Sequence, residues 1–223
     1  MLRRLSGLFA CGLLLALSTP VVAQEGPPPA TAEEIAEARQ IADMLIKGDD
    51  VSPYFTNITD DGVPTVRHTR SGLVCMFGGL DGSRVVSFPA QGGAEPGDDV
   101  GCLSRDETLG LDLTVYATRY VDEVPAEDVI ASAAYAIEQR FEGVKPFEGD
   151  LSIVSVEGMD PPLAAAYVYE STAGPMLTMA LVSHRDGWSY KVRATGPAEQ
   201  ATVVSLMAGI TLLIGMDVVD ADE

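Results

Sequence analysis

The sequence predicts an α+β fold, a mainly antiparallel sheet packed by helices in an α/β/α sandwich-like arrangement, with one helix at the N-terminal side. Three observations predict it. Apolar residues recur at helical spacing in three well-separated stretches. Leu111, Leu113, Val115 and Ala117 alternate with polar neighbours, the pattern of a half-buried strand. Asp186-Gly187 stands between two apolar runs, and that dipeptide supplies the left-handed backbone of a two-residue hairpin turn.

The first 23 residues read as a cleaved secretory signal. Arg3 and Arg4 precede an apolar run from Leu8 to Leu17, and Val21-Val22-Ala23 offers a cleavage site before Gln24. That run is shorter than a membrane span requires. A rival reading takes Leu8-Phe9-Ala10-Cys11-Gly12 as a lipobox with Cys11 lipidated. Phe9 is bulky for that motif, and most of the apolar run follows the cysteine. The expected location is therefore periplasmic or secreted, in a bacterial envelope. Residues 24–31 form a flexible Pro-rich leader, 32–216 a single α+β domain, and 217–223 an acidic tail.

Within the domain, Thr31 and Glu34 make a capping box for a helix over 32–47, with Ile35, Ala38, Ile41, Ala42 and Leu45 on one face. Residues 53–103 read as short strands joined by turns, with "PTVRH", "LVCMF" and "RVVSF" as the strand candidates. The stretch 89–99 is a polar Gly/Pro loop. After the strand at 111–118, Pro125 and a run of Val129, Ala133, Ile137 and Phe141 predict the second helix. "LSIVSVE", "LAAAYVYE" and "MLTMALVS" are the next strand candidates. A final apolar helix starts near Pro197 and runs to about residue 213, with internal glycine that weakens any reading as a membrane span. One sheet is expected to carry the second and third helices.

Charge and composition exclude several functions. The chain has 14 Lys and Arg against 33 Asp and Glu, a net charge of -19. Signal cleavage would remove two arginines and no acid. Such a chain lacks the cations that nucleic acid or an anionic membrane surface demands. There is no Lys-Ser/Thr phosphate loop, no GxGxxG, no HExxH, no EF-hand and no CxxC. No cofactor and no metal site is implied. Asp60-Asp61 and Asp98-Asp99 read as solvated turn acids.

Two cysteines remain after signal removal, Cys75 and Cys102, in a compartment where disulfides persist. One bridge between them would close a loop of about 28 residues and tether the 89–99 loop. The competing reading is a Cys75 thiolate activated by His68, which needs a third, orienting group. On a continuous strand positions 68 and 75 face opposite ways, unless a turn at Arg70-Ser71-Gly72 intervenes. Arg67, His68 and Arg70 form a basic cluster, and His184, Arg185, Lys191 and Arg193 a second, with Trp188 between. Arg67, His68, Arg70, His184, Arg185 and Trp188 are candidate anion or ligand contacts, against ordinary strand alternation and a sheet-core tryptophan.

The order of elements from Leu111 to Leu213, strand, helix, several antiparallel strands, helix, resembles the PsbP-like group of secreted α/β/α sandwich proteins. The resemblance implies an assembly, binding or accessory role and carries over no site residue. The reading that results is a secreted or periplasmic non-catalytic accessory domain, with a protein or small-molecule partner in the cell envelope and no membrane span after processing. The alternative is a secreted hydrolase whose site is assembled only in the fold, from Cys75, His68 or His184.

Overall fold

The computed structural model describes residues 28–48, 50–90 and 92–218. The expected signal segment, Cys11, the first half of the Pro-rich leader and the end of the acidic tail lie outside the described residues.

The order of elements is α1 (Ala32–Leu45), β1 (Phe55–Asn57), β2 (Thr65–His68), β3 (Val74–Met76), β4 (Arg84–Ser87), β5 (Asp99–Asp106), β6 (Leu111–Thr118), α2 (Ala126–Arg140), β7 (Lys145–Pro146), β8 (Leu163–Ser171), β9 (Gly174–Arg185), β10 (Trp188–Pro197) and α3 (Ala201–Gly215), the last entered through a short 3-10 turn. The strands divide between two antiparallel sheets rather than one. β1-β2-β3 form a small sheet, and the large one runs β4-β5-β6-β10-β9-β8-β7.

Strand alternation gives the large sheet two different faces. Leu111, Leu113, Val115 and Ala117 of β6 share a face with Trp188, Tyr190, Val192 and Ala194 of β10 and with Leu177, Met179 and Leu181 of β9. This face carries α3 and the small sheet. The reverse face carries α2, whose Ala133 and Ile137 close on Ala180 of β9. Covering a sheet on both sides is what the apolar stripes of two helices demand, and it makes the α/β/α layering.

Local signals explain most boundaries. Thr31 accepts from the Glu34 amide while the Glu34 carboxylate accepts from the Thr31 amide, the reciprocal cap that starts α1. α1 buries Ala38 and Ala42, with Ile35, Ile41 and Leu45 half-buried, and packs on β1 and β2. Asp186 and Gly187 both have positive φ, 51° and 77°, so the β9–β10 hairpin turns on the dipeptide that the sequence offers.

One expected strand is absent. Residues 151–157, "LSIVSVE", lie without regular structure against α3 and pair with no strand among the described residues. The Ser152 amide donates to the Ser205 hydroxyl on α3. A Cβ on Gly209 would stand 2.9 Å from the Val154 nitrogen, so the glycine allows the segment to lie against the helix. Apolar alternation here serves contact with a helix, and β7 takes the sheet edge beside β8 instead.

α3 consequently has three environments. Val204, Ala208, Leu212 and Gly215 are buried on the side toward the sheet. Ser205 and Gly209 meet the 151–157 segment. Val203, Leu206, Met207, Ile210 and Ile214 form a third stripe that neither covers. By length and composition Ala198–Gly215 is apolar enough to cross a membrane, yet 39% of that window is buried inside the fold.

Candidate functional site

The hairpin joining β2 to β3 decides the fate of the first basic cluster. Its turn at residues 69–72 reverses the chain, so that Val66 faces Cys75 across the strands. His68, two residues after Val66, then shares the inner face with Cys75. Cys75 bonds to Cys102 of β5, with Cα atoms 6.2 Å apart. Both cysteines are buried. The bridge therefore stitches the small sheet to the large one, and its sulfurs are not thiols.

His68 is fully buried between Phe55, whose ring centroid is 5.2 Å away, and Trp188, at 5.6 Å and edge-on. The Ser71 amide donates to His68 Nδ1, and the Ser71 hydroxyl lies 2.8 Å from the same nitrogen. An Nδ1 that accepts from an amide leaves the ring proton on Nε2, which is buried without a hydrogen-bond partner among the described residues. Burial first, and the nearby Arg70 charge second, push the imidazole down to about 4, with Asp98 opposing them. A serine 2.8 Å from a histidine has the spacing of a nucleophile and its base. Here Nε2 meets no acid, the ring is a poor base, and the Ser71 hydroxyl accepts from the Leu73 amide. The contact closes a turn.

The arginines of this cluster point away from each other. Arg67 pairs with Asp217 beyond α3 at 2.8 Å. Arg70 reaches the 89–99 loop, donating to the Pro96 carbonyl and pairing with Glu95 and with Asp98 at 2.7 Å. The Asp98 Oδ1 lies off the donor axis, so charge more than a directed hydrogen bond holds the pair. Asp98 is buried, not the solvated turn acid its sequence context suggests, and its other oxygen accepts from the Glu95 amide. The loop is thus anchored by Arg70 as well as flanked by the disulfide.

In the second cluster, His184 is exposed, and Arg185 donates to the Met216 carbonyl at the end of α3. Trp188 is buried against His68, which brings one residue from each cluster together. His184, Arg185 and Trp188 also line a depression of about 340 Å³ with Asp122, Glu123 and Asp186. Arg67 and Arg70 do not line it.

Sequence patterning missed a cleft beside α3. It holds about 450 Å³ between α3, the β3–β4 connection and the β5–β6 strands. Leu111, Leu113 and Val115 form its floor; Met207, Ile210, Thr211 and Ile214 of α3 form one wall. The disulfide, Met76 and Phe77 form the other. Its polar groups include Asp81, Ser83, Asp106, Glu107 and Arg105, and Arg105 is already engaged by both oxygens of Asp112. An apolar body with an acid-rich polar part suits a ligand with an apolar portion and a neutral or cationic polar group. The one signal in the sequence was the all-round apolar character of α3.

Comparison with known proteins gives limited likeness. No family model matches the chain, and no curated protein matches it. Among solved structures, the chain is similar to LpqN of Mycobacterium tuberculosis, a protein involved in cell envelope biogenesis. Identity is 12%, the TM-score 0.35, and the match covers 77% of this chain and 92% of LpqN. It is also similar to PA94 of Pseudomonas aeruginosa, a protein of unknown function, at 12% identity and a TM-score of 0.32, over 61% of this chain and 84% of the other. Neither is named as PsbP-like, and both superpositions are too loose to carry an argument.

Proposed function

We propose that this protein is a non-catalytic accessory domain of the bacterial envelope that takes up an apolar or amphipathic small molecule in the cleft beside α3. The carrying observation is the third stripe of α3. A helix that is apolar all round is ordinarily enclosed all round. Here Met207, Ile210 and Ile214 face a cleft instead, and Leu206 and Val203 continue the stripe at 38% and 36% exposure. Met76 and Leu80, flanking the opposite wall, are 43% and 41% exposed. Apolar surface gathered round a pocket is costly in water and marks a binding site.

Three further features support the location and role. The Arg3-Arg4 and Leu8–Leu17 pattern is that of an export signal. The Cys75–Cys102 bridge suits an oxidising compartment. The PsbP-like order of elements favours accessory over catalytic roles. An acid-rich mouth disfavours a fatty-acid carboxylate and favours an uncharged or cationic polar group.

Titration with the neutral dye N-phenyl-1-naphthylamine tests the reading. Saturable enhancement of its fluorescence is expected, displaced by a long-chain alcohol or amine and poorly by a fatty acid. Ile210→Trp, which fills the cleft without adding charge, should abolish the enhancement while circular dichroism stays unchanged. Binding that survives Ile210→Trp and Met207→Trp alike would sink the proposal.

A further inference from the structure

We infer that the reverse face of the large sheet carries a second site, which binds an oxyanion, carboxylate or phosphate, borne on a small ring-shaped molecule. α2 covers only the β8–β9 half of that face. Beyond its C-terminal end lies an open pocket of about 410 Å³, lined by Arg105, Arg140 and Arg193 with Phe141, Tyr169 and Tyr116. The register brings them together. Arg193 stands opposite Thr114, and Thr195 opposite Asp112, which in turn stands opposite Arg105.

The charges do not cancel. Asp112 lines the pocket, but both its oxygens are taken by Arg105, at 2.7 and 3.0 Å. Arg140 and Arg193 have no carboxylate within 4 Å among the described residues. In a chain with 33 acids and 14 bases, two neighbouring arginines left without an acid form a local reversal of sign. Lys191 adds a fourth cation alongside, its ammonium 4.6 Å from the centre of the Tyr116 ring and near Asp99. Burial lowers its pKa, and the Asp99 charge opposes that shift.

The remaining lining sets the shape of the ligand. Phe141 and Tyr169 stack with centroids 4.1 Å apart, giving an aromatic wall beside the guanidinium of Arg140. Thr114 and Thr195 supply hydroxyls on the floor. Guanidinium forks match the two oxygens of a carboxylate or phosphate, hydroxyls suit a polyhydroxylated body, and an aromatic wall suits a ring laid against it. This lies on the opposite side of the sheet from the cleft at α3, with Arg105 at the shared edge, and does not depend on that proposal.

Isothermal titration of the full chain with glucuronate, inorganic phosphate and glucose separates the sources. Saturable binding of glucuronate or of phosphate is expected, weakening as salt rises, with glucose silent. Glucuronate alone would assign the carboxylate, phosphate alone the phosphoryl group. Arg193→Gln and Arg140→Gln should each weaken binding on the order of tenfold or more, with unchanged thermal unfolding. Absence of saturable binding by both anions, or binding indifferent to both substitutions, would overturn the assignment. Arg67→Gln, far from the pocket, serves as the control that should leave binding intact.

Discussion

At the β2–β3 turn, Arg67 and Arg70 are both held by carboxylates, whereas on the reverse face of the large sheet Arg140 and Arg193 meet none within 4 Å among the described residues. Both regions are basic in an acidic chain. The first faces Asp98 and Asp217, brought from distant segments, and its charge is consumed in holding the small sheet and the 89–99 loop in place. The second sits on an open sheet face where the acid that lines the pocket, Asp112, is already engaged. A cluster of cations becomes a binding surface only when folding leaves it uncompensated. That difference can be broken or sharpened experimentally.

The largest effect should come from the bridge that ties the first region to the rest. Replacing Cys75 and Cys102 together by serine should lower stability by about 3 to 4 kcal/mol for the loop they close. Urea unfolding of the variant, and of the parent with and without reductant, measures it. Reduction that costs nothing would mean that the two sheets are held by packing alone.

Acid should then loosen the same region through His68. The folded imidazole titrates near 4, against about 6.5 when unfolded, so between these values the unfolded chain binds the extra proton. The stability that neutral His68 contributes is complete above about pH 6.5 and declines as pH falls toward 4. The total loss is about 3 kcal/mol. His68→Phe, which keeps a ring between Phe55 and Trp188, should flatten urea midpoints across that window. A profile identical to that of the parent would show that other groups carry the acid sensitivity.

Arg70→Gln should cost about 2 kcal/mol, because Asp98 stays buried with its charge unpaired. Faster proteolysis within residues 89–99 should accompany the loss. At the small end, Arg193→Gln should shift stability by less than about 0.5 kcal/mol, since no acid loses a partner. Equal costs for Arg70 and Arg193 would erase the distinction between the two regions.

The layered architecture was legible in the sequence because its signals are local. The Thr31/Glu34 cap, the alternation at 111–118, the Val129-Ala133-Ile137 stripe and the Asp186-Gly187 turn each act within a few residues, where backbone geometry and apolar periodicity suffice. The Cys75–Cys102 pairing was legible by elimination, since reading the first 23 residues as a signal leaves two cysteines, each with one possible partner. Where two segments compete for one surface, local patterning failed. Residues 151–157 alternate like a strand, yet their neighbour is α3, and only the close approach at Gly209 shows why.

The sequence by itself determined the three helices, most of the strands, the net acidity of the chain and the candidate residues for chemistry. Tertiary structure decided what those residues do. The β2–β3 turn put His68 inside with Cys75, turning a candidate ligand contact into a core ring. The loop from 89 to 99 brought Asp98 to Arg70, and the end of α3 brought Asp217 to Arg67. Among the described residues, the same folding left one stripe of α3 uncovered and two arginines without a carboxylate partner. The physical reason is range: periodicity and capping act over a turn of chain, whereas charge compensation and apolar closure depend on what distant segments bring to within a few ångströms.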